Sequence, residues 1–300
     1  MRMRRPRTVA FLSVAVVASM LVSLPAEAQK SPKPSEQELL ARVVSYIRGY
    51  VPQLINIVAE ETFEQQRKGN PVLTRRLLSD ILLVGFPGTT NQWMLFRDVT
   101  EVDGRPVPDK AERLVDLFVS PSGGSSFDQA SKIARESERF HLPATRFTAN
   151  PFFMIIVLQE RYQPRLNFDV GDEAPEFGPG VRVLNVEEPS MLLIMRNSLR
   201  RPLDDPLFTA AGGRGRAWVE VATGRVLQTE ARFPGPRPTM TGTATTTFVQ
   251  NDRLGLLVPG TLQTTWFDPS TGREVKGLAK YSNYRRFGVS TDTKLQLPLP

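Results

Sequence analysis

The chain has 300 residues, with 38 Lys+Arg against 31 Asp+Glu, no cysteine and one histidine. The missing cysteine excludes disulfides, a thiol nucleophile, cysteine metal sites and lipidation at a signal-peptide cysteine; a single histidine excludes multi-histidine metal sites. The formal charge of +7 is modest, and beyond the first few residues it comes without a Lys/Arg block of the kind that marks a nucleic-acid surface.

The N-terminus carries the most specific signal. Arg2, Arg4, Arg5 and Arg7 form a basic start, and Val9 to Leu24 is apolar apart from Ser13, Ser19 and Ser23. Ala26-Glu27-Ala28 then has the form of a cleavage site. That order defines a secretory signal peptide over residues 1–28, with a mature N-terminus at Gln29. Cleavage removes four Arg and one Glu, which leaves 34 basic against 30 acidic residues, about +4. No later apolar run approaches the length of a membrane helix, so no transmembrane span is expected after cleavage. The expected location is the bacterial cell envelope, periplasmic or extracellular.

Residues 29–35 read as a disordered leader and residues 36–290 as a single domain. Ser35 and Glu38 form a capping box, and Leu39, Leu40, Val43, Val44, Ile47 and Val51 share one helical face, with Pro52 marking its end. Three strands follow, at Leu54–Gln66, Arg75–Phe86 and Gln92–Val102, separated by short Gly/Pro/Asn breaks. A helical block spans Asp109–Tyr162. Asp109 and Glu112 cap its first helix, a second runs from about Phe127 to Phe140, and Asn150-Pro151 opens a third. His141 falls at the end of the second helix, where the helix dipole favours it. The third, "PFFMIIVLQERY", is apolar nearly all round and should be buried on every side.

From Arg165 the strand pattern returns: "RLNFDV", "VRVLNVEE", "SMLLIMRN", "RAWVEVA", "RVLQTEARF", "TGTATTTFVQ", "RLGLLVPGTLQTTWF" and "EVKGLAKYSNYRRFGVS". Residues 291–300 read as a loose tail. Segregated strands and helices define an α+β class. One hairpin motif occurs twice: Trp218, Glu220 and Thr223-Gly224-Arg225 recur as Trp266, Asp268 and Thr271-Gly272-Arg273. Turn chemistry explains the Thr-Gly-Arg part, because Gly supplies positive φ in a tight hairpin. The equal spacing of the Trp and the acid leaves an ancestral repeat open.

The stretches Phe96–Val107 ("FRDVTEVDGRPV"), Ala217–Leu227, Leu256–Trp266 and Tyr281–Phe287 ("YSNYRRF") resemble the layout of the LolA/RseB-like superfamily of periplasmic proteins. More narrowly, they are similar to secreted bacterial proteins that share a C-terminal YSN(F/Y)RRF motif. The likeness covers most of residues 36–290. It implies a large, curved, half-barrel-like antiparallel sheet with the helical block packed on one face. In some members of that superfamily, acyl chains of lipoproteins lie between sheet and helices. The helical block here is longer than in the lipoprotein carrier, and no functional residue of that carrier can be matched.

Three functional readings follow. The first is a non-enzymatic envelope protein that binds an apolar or lipid-like ligand, such as a lipoprotein acyl chain, between sheet and helices. Its candidate ligand-binding residues are the bulky Trp93, Phe96, Phe152, Met191, Trp218 and Trp266; the plain alternative is that they fill a dry core. The second is a module for an envelope protein partner, docking at a strand edge or the Pro234–Pro238 loop. The third is a hydrolase with paired carboxylates drawn from Glu60, Glu61, Asp98, Glu101, Asp103, Glu187 and Glu188. Adjacent acids on a strand point to opposite faces, and Asp98 beside Arg97 reads as a strand salt bridge. No metal site, cofactor, catalytic residue or nucleic-acid partner is expected.

Overall fold

The computed structural model describes residues 33–55, 57–85, 93–108, 133, 135–142, 149–188, 213–234 and 241–286. The chain divides after Lys33, and all elements below lie in the unit that begins at Pro34. Its first element is α1 (Glu36–Leu54). Ser35 Oγ accepts from the Glu38 N–H while the Glu38 carboxylate accepts from the Ser35 N–H, which completes the capping box. Leu39, Val43, Ile47, Tyr50, Val51 and Leu54 form its buried stripe. The helix runs two residues past Pro52 rather than stopping there. A proline ring obstructs the carbonyl four residues back, and in a last turn that disturbs only a carbonyl near the helix end.

The strands are β1 (Ile57–Arg67), β2 (Leu73–Gly85), β3 (Trp93–Val102), β4 (Arg105–Pro106), β5 (Asn167–Glu173), β6 (Val181–Glu188), β7 (Gly213–Glu220), β8 (Val226–Pro234), β9 (Thr241–Asn251), β10 (Leu256–Asp268) and β11 (Arg273–Arg286). They form one open antiparallel sheet in the order β4-β3-β2-β1-β11-β10-β9-β8-β7-β6-β5. Two meanders, β1–β4 and β5–β11, are joined where the last strand pairs with the first. The expected strands correspond closely, including the break-separated trio β1–β3; the segment 190–197 lies outside the described residues.

Helices are a minor part of the described fold. The Asp109 helix and most of the second helix lie outside the described residues; residues 135–138 are helical and His141 follows them. The third helix is shorter than its apolar run suggests. Asn150 Oδ1 accepts from the Phe152 N–H at 2.9 Å, but regular α-helix covers only α2 (Phe153–Val157), followed by a 3₁₀ turn over Glu160–Arg165. Its burial is as expected: every residue from Phe152 to Leu158 is buried. One core cluster joins α1, α2 and the inner face of the sheet, from Val170 on β5 to Val99 on β3.

Candidate functional site

Strand registers sort the inner face into rows. One row crosses ten strands: Val170, Leu184, Ala217, Thr229, Thr246, Leu262, Ala279, Phe63, Leu77 and Val102. The next row reads Phe168, Val186, Gly215, Ala231, Ala244, Thr264, Gly277, Gln65 and Arg75. Its middle is five adjacent strands, β7 to β11, each contributing Gly, Ala or Thr. At about 4.8 Å per strand this floor is about 19 Å long.

Large side chains reach down to fill it. A Cβ on Gly215 would lie 2.5 Å from Met154 Cε, and one on Gly277 would lie 2.6 Å from Phe63 Cε2 and 2.5 Å from Thr264 Oγ1. The Trp266 ring rests on neighbouring Gly242 in the same way, 2.7 Å from a Cβ there. Phe152 from the α2 segment packs on Phe248, ring centroids 6.5 Å apart. Thr264 is buried in the middle of the floor, and its Oγ1 has no hydrogen-bond partner among the described residues. At the β1 end the floor turns polar. Gln65 Nε2 meets His141 Nδ1 at 2.8 Å, and Gln65 Oε1 accepts from the Leu142 N–H. His141 thus follows the helix end, its N–H donating to the Glu138 carbonyl, and is also a buried core residue held against β1, with its ring edge-on to Phe63.

A third inner row holds Ser79, Glu61 and Tyr281 side by side. Arg97 of β3 reaches over β2 and grips both Glu61 oxygens, at 2.7 and 2.8 Å, while donating to the Ala149 carbonyl. Glu61 is fully buried and the Arg97 side chain is 12% exposed. Burial works against the Arg97 charge, but Glu61 beside it outweighs burial and raises its pKa. Burial, reinforced by the Glu61 charge, pushes the Tyr281 hydroxyl well above its usual range. The motifs around Arg97 and Tyr281 are thus brought together across β1. The rest of "YSNYRR" pins β11: Asn283 donates to Glu60, Tyr284 to the Pro259 carbonyl, and Arg285 to Asp80.

The expected site residues do not form one group. Trp266 and Phe152 belong to the inner core. Trp218 lies on the opposite face, in a satellite cluster with Ala174, Phe177, Val181 and Val183, under the Arg216 guanidinium at 5.1 Å. Its neighbour Ala217 faces inward, and successive strand residues alternate. Phe96 is fully buried, also on the outer face, in register with Leu82 and, through it, with Val58. Trp93 begins β3 opposite Gly85; Met191 lies outside the described residues. The floor of small residues was missed because its members are spread over more than sixty positions and only the register aligns them.

The acids are dispersed. Glu60 and Glu61 take opposite faces, as alternation requires. Arg97 pairs with Glu61, not with its chain neighbour Asp98, which faces the other way. Glu101 meets Arg76, Asp103 meets Arg75 and Glu187 meets Arg214, at 3.5, 3.0 and 3.2 Å. Two wide grooves, of about 590 and 420 Å³, are lined by charges of both signs, Glu64 with Arg76 and Lys276 in one and Glu230 with Arg216 and Arg232 in the other; Gln65, Thr264 and Gly277 of the row also border the first, and Gly215 the second. The Glu230 carboxyl illustrates the balance: burial would raise its pKa, but hydrogen bonds from Arg216 and Arg232 prevail and lower it. Among the described residues no group of three or more His, Asp or Glu could hold a metal ion. No described helix is long and apolar enough to cross a membrane.

No protein-family model and no curated protein matches the chain. Solved structures give loose overlaps. A domain assigned as an outer membrane lipoprotein-sorting protein from Vibrio parahaemolyticus has 13% identity and a TM-score of 0.37, over 84% of this chain and 94% of that one. A DUF1329 family protein from Desulfovibrio piger has 13% identity and a TM-score of 0.35, over 85% and 94%. A LolA superfamily protein from Nitrosomonas europaea has 12% identity and a TM-score of 0.32, over 86% and 96%. All three scores lie below 0.5, so no property of those proteins is carried over to this chain.

Proposed function

We propose that the chain is an exported envelope protein that carries one apolar, lipid-like ligand between its sheet and the helical cover, without catalysis. The observation that supports this reading is the floor of Gly215, Ala231, Ala244, Thr264 and Gly277 on the inner face. A dry core between a sheet and its cover normally interdigitates large side chains from both sides. Here five adjacent strands withhold theirs, and Met154, Phe63 and Trp266 fill the depth instead. Met154 is an unbranched thioether that repacks at low cost, so it can withdraw from Gly215 and leave a slot for a chain. In this reading the sheet curves around the slot, and Trp266 and Phe152 line it. Export rests on the signal-peptide order of residues 1–28.

Native mass spectrometry of protein taken from the envelope fraction tests the proposal, together with titration by the neutral dye N-phenyl-1-naphthylamine. The expected results are a co-purifying lipid-sized mass and stronger dye binding in Met154→Ala. A clean apo mass, with no dye bound by wild type or by Met154→Ala, sinks the reading.

A further inference from the structure

Resting on that reading, we infer that the ligand is a neutral acyl ester or amide, with its carbonyl placed at Thr264 and its chain running from there over Ala244, Ala231 and Gly215. The floor has a direction. Toward β7 it is Ala244, Ala231 and Gly215, with Met154 seated on Gly215. Toward β1 it passes Thr264 and Gly277 and ends on the buried Gln65–His141 pair, with Arg75 beyond. An apolar chain fits the first part only, so a ligand that fills the row is amphipathic and oriented.

Thr264 identifies the polar group. It is 2% exposed, its Oγ1 sits over Gly277 and has no hydrogen-bond partner among the described residues. A buried hydroxyl without a partner is costly; a ligand carbonyl accepting from it would remove that cost. The groups that end the row are hydrogen-bonding ones, a hydroxyl, an amide and an imidazole that already meets that amide, and Arg75 is already engaged by Asp103 and the Phe140 carbonyl. A free carboxylate buried at Thr264 would have Ala244 and Gly277, and no cation, as its neighbours in the row, which disfavours it strongly. An ester or amide carbonyl meets the same donors without a charge.

The test is displacement of N-phenyl-1-naphthylamine at pH 8 by 1-monopalmitoylglycerol and by palmitate, on wild type, Thr264→Val and Thr264→Ser. The expected result is that the monoacylglycerol displaces dye at least about tenfold more effectively than palmitate. Thr264→Val should lose about five- to tenfold of that affinity relative to the dye affinity measured on the same variant, the size of one hydrogen bond; Thr264→Ser should retain it. Equal or better displacement by palmitate, or an unaltered monoacylglycerol affinity in Thr264→Val, overturns the inference and leaves the carrier reading standing. If neither dye nor acyl compound binds wild type, the carrier reading falls first and this inference falls with it.

Discussion

Trp218 and Trp266 occupy equivalent positions in the same hairpin motif, yet they face opposite sides of the sheet. In a meander, hairpins that begin an odd number of strands apart run in opposite directions and turn with opposite hand, so an identical local hairpin presents its other face. β7–β8 and β10–β11 begin three strands apart. The shared part is therefore the turn. Gly224 and Gly272 both have positive φ, +75° and +62°, and in each turn the Thr hydroxyl accepts from the Arg N–H two residues on. The two glycines differ in surroundings. A Cβ on Gly224 would fall 2.3 Å from the Arg42 carbonyl of α1, while Gly272 has nothing within 4 Å. Gly272→Val should cost about 1–2 kcal/mol from backbone strain, and Gly224→Val about 3 kcal/mol or more as overpacking adds to it. Equal urea midpoints for the two variants would contradict the helix contact. Among the polar residues, Arg97 should be the most sensitive. Arg97→Ala leaves Glu61 buried and unpaired, a loss of about 3–5 kcal/mol. Glu61→Leu combined with Arg97→Met should recover most of it in the same melts, and a double variant as unstable as Arg97→Ala would mean that the pair contributes more than charge balance.

At the scale of elements, α2 is the test of what covers the floor. Phe153 lies in the inner core cluster, so Phe153→Ala should lose about 3–5 kcal/mol as a cavity in packed surroundings. Trp266→Ala should alter dye binding and Trp218→Ala should not, because only Trp266 stands beside the floor; a response to Trp218→Ala alone would move the ligand to the outer face. The strands were legible because period-2 alternation bounded by Gly and Pro is a strong local signal, and β1–β3 and β5–β11 follow it closely. The α1 cap was legible for the same reason: Ser35 and Glu38 are three residues apart. The length of α2 was not, since an unbroken apolar run fits a buried strand, a long helix or one turn equally well. The site was the least legible. Bulk alone puts Phe96 and Trp218 among the ligand-binding candidates, and both lie on the outer face. Yet face is fixed by register with partners tens of residues away, and the informative positions were the small ones.

The whole molecule is held together by one long-range pairing. Among the described residues, the first meander, β1–β4, pairs with the second through β11, in ten register pairs from Ile57↔Arg286 to Arg67↔Val275. A weak seam there would let the halves unfold separately. Three features strengthen it. The core cluster under α1 is continuous across the seam, from Leu77 and Phe63 on one side to Leu262 and Trp266 on the other. Tyr50 of α1 donates to the Leu257 carbonyl of β10 at 2.7 Å, and Tyr284 of β11 donates to the Pro259 carbonyl of the same strand, so β10, the strand next to the seam, is tied both to the helix and to β11. Arg285 bridges to Asp80, and Asn283 to Glu60, across the join itself. Coupling of this kind makes one cooperative unit, and two-state unfolding follows from it. The three tryptophans of the chain supply the probes. Trp93 lies on β3 of the first meander, and Trp218 on β7 of the second. Variants that retain only Trp93 or only Trp218, with the others replaced by Phe, each report one half. Their fluorescence should follow that variant's far-UV circular dichroism with the same urea midpoint and slope. The double variant Asn283→Ala, Arg285→Ala should lower both midpoints together by a similar amount. A Trp218 transition that separates from the circular dichroism of the same variant would show that the second meander stands alone and that the β1–β11 seam does not carry the coupling.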